Sequence, residues 1–422
     1  MILNTFSLLV FLTSCLICLC IYKDCLSPEK IFFSQAGLYF GALFFDKISL
    51  KIHLLFYTIC LAGLIGSIVA KCSTQKQIVK KEMQSQQKKL PHLIILKIWL
   101  ISVPAIVAQI FLIERFGSFG DYVKAVTISE IEFRGLGPII WLIKSFSICN
   151  IVYFCILCIK NKVTQLNKIG YIFHFIIMVV ISLMSGSRGT LLVPIFMLCF
   201  CYHYLCKKIK ILNLFFIAAC LILCALILGV AREGCSVVDG KLITGLSEKT
   251  LAESFKIAAF YVGIQSLELV LEIKNKLYWG VTYLSALTNF VPRAIWPEKP
   301  PTGGMVLTRD FTGDAWQGLS YLSTGIFPEA IINFGIFGIG LGMIITFFIN
   351  FYLSKQYFQI KQLLTQLPKI EKVKSTIKFG FVTWGLCALL VGDFANIVSG
   401  TILNIFGLYV IINFLKIKIK FY

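Results

Sequence analysis

Apolar residues in this chain come in long unbroken runs, without the alternation of a half-buried strand or the one-sided stripe of a helix in water. Ile2 to Tyr22 and Ile211 to Ala231 contain no charged residue, and a helix that crosses a bilayer needs about 20 such residues. Runs of this kind predict spans at 2–22, 31–45, 52–70, 93–113, 138–159, 169–184, 190–206, 211–230, 328–353, 379–394 and 397–415. The pattern therefore predicts an all-α polytopic membrane protein of about eleven transmembrane helices, with about ten to thirteen as its bounds.

Residues 255–296 break the pattern. A helix-like stretch carries Lys256, Glu268 and Glu272, and an uncharged run from Leu277 to Pro292 follows it. The two glutamates favour an interfacial helix over a span. If both stretches crossed, two spans would be added together and Trp296 to Phe327 would keep its side. Three regions follow: helices one to eight over 1–230, a large extracytoplasmic loop with interfacial or re-entrant helices over 231–327, and the last three helices with a cytoplasmic tail over 328–422. No inverted repeat of the transporter kind is evident.

Composition agrees with lipid as the solvent: 58% of residues are apolar, 14% are charged and the mean hydropathy is +0.85. The first run has no basic segment before it and no small-residue cleavage site, so it reads as a retained span and not a signal peptide. Most of the sixteen cysteines lie inside apolar runs, where they act as small hydrophobes. No Cys and His spacing suits zinc, so neither metal nor cofactor is implied.

The net charge of +20 is a topology signal, with no nucleic-acid partner implied. The excess sits in short loops such as 71–92 (Lys71, Lys76, Lys80, Lys81, Lys88, Lys89), the connector with Lys160, Lys162 and Lys168, the Lys207, Lys208 and Lys210 cluster, and the tail Lys416, Lys418 and Lys420. Lysine-rich loops stay in the cytoplasm. That puts the N-terminus, 114–137, 185–189 and 231–327 outside and the C-terminus inside, as in a bacterial cytoplasmic (inner) membrane protein.

Only six of the 40 basic residues are arginine: Arg115, Arg134, Arg188, Arg232, Arg293 and Arg309. In this topology all six fall outside or at outer helix ends. Arginine offers a permanently charged planar fork that holds phosphate through two parallel hydrogen bonds. The six together suit a lipid-linked diphosphate, whereas any one alone also suits a headgroup anchor or a partner for a nearby acid.

Three motifs lie on that face. Ser185-Gly186-Ser187-Arg188-Gly189 is a short turn that suits either an anion site at a helix start or a tight interhelical turn. The loop from Asn289 to Gly304, with Pro292-Arg293-Ala294-Ile295-Trp296-Pro297-Glu298-Lys299-Pro300, reads as ordered by its prolines or as an interfacial cap anchored by Trp296. The acids Glu298, Asp310, Asp314 and Glu329 follow, and Asp310, Asp314 and Glu329 are candidates for a general base on a sugar hydroxyl. The glycine-rich opening from Ile331 to Gly342 reads as close helix packing. Asp393 and Asn396 occupy a short outer turn that is topological or functional in equal measure.

Through the SGSRG turn at 185–189, the PRAIWPEKP loop at 292–300 and the EAIINFG opening at 329–335, the chain resembles the oligosaccharide repeat-unit polymerases, the Wzy family of O-antigen and capsule polymerases. The likeness covers roughly residues 90–415, and only these short motifs are specific to it. The resemblance implies a GT-C-type glycosyltransferase, related in architecture to O-antigen ligases. It implies inverting, metal-independent transfer of a glycan from undecaprenyl diphosphate to a newly flipped lipid-linked unit, with membrane lipids, a chain-length regulator and a flippase as partners. By the same resemblance Arg188 and Arg293 are the leading diphosphate ligands, with Arg134, Arg232 and Arg309 as secondary ones, and Arg293 with Gly304 fits an Arg-x10-Gly pattern of some members. Related ligases use an outer-loop histidine; this loop has none, which leaves the base open. Two alternatives stand beside the polymerase: an O-antigen ligase, and a flippase or other transporter of lipid-linked oligosaccharide.

Overall fold

The computed structural model describes residues 2–75, 93–127, 132–133, 135–160, 163–185, 187–233, 235–238, 241–244, 260–272, 276–291, 295–313 and 322–416, without the side chains at 75, 124, 127, 188, 222, 224–244 and 262. The described chain is helical apart from one antiparallel hairpin, β1 (Cys235–Val238) with β2 (Lys241–Thr244), in which Cys235 faces Thr244. Its helices are α1 (Ile2–Ile21), α2 (Pro28–Tyr39), α3 (Leu50–Gln75), α4 (Ile94–Arg115), α5 (Phe119–Thr127), α6 (Gly137–Ile159), α7 (Gln165–Met184), α8 (Arg188–Leu205) and α9 (Ile211–Glu233). After the hairpin come α10 (Val262–Glu272), α11 (Val281–Thr288), α12 (Gly303–Val306), α13 (Ile326–Phe334), α14 (Phe337–Gln366), α15 (Lys369–Ala388) and α16 (Phe394–Lys416).

Among the described residues, seven helices are long and apolar enough to cross a membrane: α1, α3, α4, α6, α7, α14 and α16. Each coincides with an apolar run. The run at 31–45 instead forms α2 and a separate 3-10 turn, Gly41–Phe44; at 1.5 Å per residue the 12 residues of α2 reach about 18 Å, short of the roughly 30 Å hydrocarbon core. The run at 328–353 is split at Gly335, whose φ of +60° ends α13 before α14 starts. The run at 379–394 becomes the end of α15, whose first half carries Lys369, Glu371, Lys372 and Lys374.

The polarity of these helices is the reverse of that expected in water. On α1 the buried residues are Ser7, Ser14 and Cys18, while Phe6, Leu9, Leu12 and Leu16 face outward. On α7 His174 and Ser182 are buried, while Ile169, Ile172, Phe173 and Ile176 are exposed. An apolar surface of this extent around polar contacts belongs to a helical membrane protein.

Contacts divide the chain into two units. The first comprises Met1–Lys81, Lys249–Lys361 and Val382–Thr401, the second Glu82–Glu248, Gln362–Phe381 and Ile402–Tyr422. In the second, Ile98, Cys149, Tyr153, Met197, Ile377 and Leu408 share one core. Nearby, His174 is held between Ser102 Oγ and Asn150 Nδ2, each at 2.9 Å, with its ring stacked on Phe146. In the first, α3 and α14 touch closely enough that a Cβ on Gly66 would lie 2.4 Å from the Phe347 carbonyl oxygen. A buried polar cluster lies in the same unit: Tyr22 donates to Ser354 at 2.8 Å, Ser354 to Glu29, and Tyr357 to Asp24 at 2.6 Å.

Candidate functional site

The first unit gathers polar side chains into one connected set built from α11, α12, α13 and the turn before α16. Its hub is Glu329, in the first turn of α13. The carboxylate is wholly buried, and a buried carboxylate needs donors. Thr282 on α11 donates to Oε1 at 2.8 Å, and Thr324 and the Phe394 backbone N–H donate to Oε2 at 3.2 and 2.9 Å. Gly303 supplies the space, since a Cβ there would meet the Glu329 carboxyl carbon at 2.6 Å.

Asn333 lies one helical turn beyond Glu329 and ties α13 to α11. Its Nδ2 donates to Thr282 Oγ1 at 2.7 Å and to the Glu329 carbonyl at 2.8 Å, while its Oδ1 accepts from the Gly280 N–H at 2.8 Å. The chain reverses there through Trp279 and Gly280, with φ of +49° and +88°.

Asp393 does the same for α12. Its Oδ2 accepts from the Gly304 N–H at 2.6 Å and its Oδ1 from the Asn396 N–H at 3.2 Å. Thr302 caps the helix by accepting from the Met305 N–H at 3.4 Å. Asn289 adds a second strap, donating to Asn396 Oδ1 at 3.1 Å and Ser399 Oγ at 2.8 Å.

α12 continues into a π-helical turn, Leu307–Phe311, packed on Val270 and Ile332. This turn presents Arg309 and Asp310. Arg309 Nε lies 2.6 Å from Asp310 Oδ1, and the Tyr278 hydroxyl bonds to the same carboxylate. Arg309 is more than half exposed and Asp310 a quarter exposed. Partial burial pushes Asp310 up, but the Arg309 and Tyr278 hydrogen bonds outweigh it and hold its pKa below the usual carboxylate range. Glu329, outside the seven spans, goes the other way: burial and the nearby Asp393 raise its pKa to about 7. Asp310 is thus an accessible carboxylate kept ionised, and Glu329 an enclosed one that resists ionisation.

The sequence candidates are therefore distributed unevenly. Asp310, Glu329 and Arg309 lie in this one unit. Arg188 opens α8 in the other unit, beside the Ser185 and Thr190 hydroxyls that bond each other across the turn. The side chains of Arg188 and Arg232, and all of Arg134, Arg293 and Asp314, lie outside the described residues. Tyr278, Thr282, Thr324 and Asn333 were not singled out in the sequence; polar residues at i and i+3, Thr282 and Ser285, inside an otherwise apolar run were the available signal. Among the described residues no group of His, Cys, Asp and Glu is placed to hold a metal ion. His53 is buried, with its Nδ1 2.6 Å from the Ser7 hydroxyl. No family model, curated protein or solved structure matches this chain.

Proposed function

We propose that the chain is a GT-C-type glycosyltransferase of about eleven spans that joins undecaprenyl-diphosphate-linked repeat units into O-antigen or capsular polysaccharide at the outer face of a bacterial cytoplasmic membrane. The observation that carries this reading is the exposed Arg309 beside the half-buried Asp310 and Tyr278, on a turn that continues from α12, whose Gly304 N–H is held by Asp393. A guanidinium suits the diphosphate, and an ionised carboxylate beside it suits the acceptor hydroxyl.

In the reaction the acceptor oxygen bonds to the anomeric carbon as the bond from that carbon to the diphosphate breaks. The electron pair leaves on the diphosphate, where arginines stabilise the growing charge. Asp310 takes the hydroxyl proton. Of the candidate acids it is the accessible one, a quarter exposed, whereas Glu329 is wholly buried. Arg188 and Arg293 remain the leading diphosphate ligands by resemblance, with Arg309 joining them.

Replacement of Arg188, Arg293 or Arg309 by lysine keeps the charge and removes the fork. Long polymer should disappear while the protein stays inserted, and normal polymer length from all three variants would overturn the diphosphate role. Deletion separates polymerase from ligase: loss of a polymerase leaves single-unit lipopolysaccharide, and loss of a ligase leaves none attached. A carrier of lipid-linked oligosaccharide is the second reading, favoured by the burial of Glu29 and Glu329 in a membrane protein. Reconstituted vesicles that move a lipid-linked unit without forming polymer would select it.

A further inference from the structure

We infer that α11 and its flanks, Leu277 to Val291, sit in the hydrocarbon of one leaflet as a half-helix, with bilayer acyl chains as the partner of the outward face. The polarity of α11 is inverted. Thr282, Ser285 and Thr288 face the protein, whereas Leu284 is 51% and Leu287 72% exposed. A surface helix in water would place these residues the other way round.

The backbone is prepared for a medium without water, where every N–H needs a protein acceptor. The donors at the entry to α11 are all taken by α13: Tyr278 N–H by the Ile332 carbonyl at 3.2 Å, Trp279 N–H by the Asn333 carbonyl at 3.0 Å, and Gly280 N–H by the Asn333 side chain at 2.8 Å. Two of its hydroxyls turn inward to the helix backbone, Ser285 donating to the Thr282 carbonyl and Thr288 to the Ser285 carbonyl. No residue from Leu277 to Val291 is charged.

Length and neighbourhood identify the partner. The eight residues of α11 span about 12 Å, within the roughly 15 Å of a single leaflet and too little to cross two. The entry to α11 abuts Phe334 and Gly335, the latter within 3.5 Å of the Leu277 side chain when given a Cβ. Ile336 and Phe337 follow directly, 76% and 84% exposed, and Phe337 opens the membrane-crossing α14. The outward face of α11 is thus continuous with the lipid-facing surface of a span. The inference does not depend on the polymerase reading.

Full-length protein carrying Leu287→Trp, or separately Leu284→Trp, would be reconstituted in phosphatidylcholine vesicles with plain or brominated acyl chains. The emission added over the parent protein is then compared. The expected added emission is blue-shifted, loses most of its intensity in brominated vesicles and is insensitive to aqueous iodide. Emission at the wavelength of hydrated indole and quenched by iodide would place α11 in water and overturn the inference. Emission quenched by neither agent would mean that a second copy or another part of the protein covers this face, which also overturns it.

Discussion

Replacing Glu329 with alanine tests whether this carboxylate holds α11, α13 and the start of α16 together. The change removes the acceptor of the Thr282 hydroxyl, the Thr324 hydroxyl and the Phe394 N–H. The hydroxyls can turn toward other acceptors, but the backbone N–H cannot. One or two buried donors left unpaired cost about 1–3 kcal/mol each, and the space left beside Gly303 adds to that. The expected loss is roughly 3–5 kcal/mol, a large part of the 5–15 kcal/mol that folded proteins typically hold. The assay is the thermal midpoint in detergent micelles, followed as the monodisperse fraction on gel filtration, with a fall of roughly 3–6 °C. A loss under about 1 kcal/mol would show that the three donors do not depend on Glu329 and would refute the hub. Polymer formed by a variant that still folds would separately remove Glu329 from the list of bases.

The raised pKa of Glu329 makes stability depend on pH in a defined direction. The neutral form costs nothing extra below about 4.5, so stability falls as pH rises from there through about 7, by about 3 kcal/mol in all; Glu329→Gln should flatten the midpoint over that window. Gly338→Ala would push a Cβ to 2.2 Å from the Ala330 carbonyl oxygen, and because neither backbone can yield it should cost about 3 kcal/mol in thermal unfolding. The neighbouring Gly340 has open space, and its alanine variant should be neutral or gain up to about 1 kcal/mol. Asp393→Ala frees the Gly304 N–H and should cost about 1–2 kcal/mol while speeding proteolysis within residues 303–311, whereas Asp393→Asn keeps one acceptor and should lose less.

Hydropathy made the seven long helices legible because each contains a long apolar window with few charged residues. It failed where backbone geometry decides. Gly335 lies in an apolar stretch and looks like part of a span, yet its positive φ ends one helix and allows another to begin. The run at 31–45 was long enough in composition, but its helix stops at Tyr39. Asp393 was legible as a turn residue, but not its role, since its partner Gly304 is 89 positions away. Arg309 and Asp310 were readable as charges in a loop; the Tyr278 hydroxyl that joins them comes from a segment that reads only as apolar. Thr282 was passed over for the same reason, as a polar residue in an uncharged run, and Asn333 was read only as part of the EAIINFG opening.

The bond from the Phe394 N–H to Glu329 links positions 65 residues apart, and this has a consequence for biogenesis. A ribosome delivers residues 276–334 well before the residues that close around them, so a nascent chain stopped before 393 holds Glu329 without its backbone donor and the Gly304 N–H without its acceptor. Closure around Glu329 is therefore a late event, reached only once the start of α16 has been made.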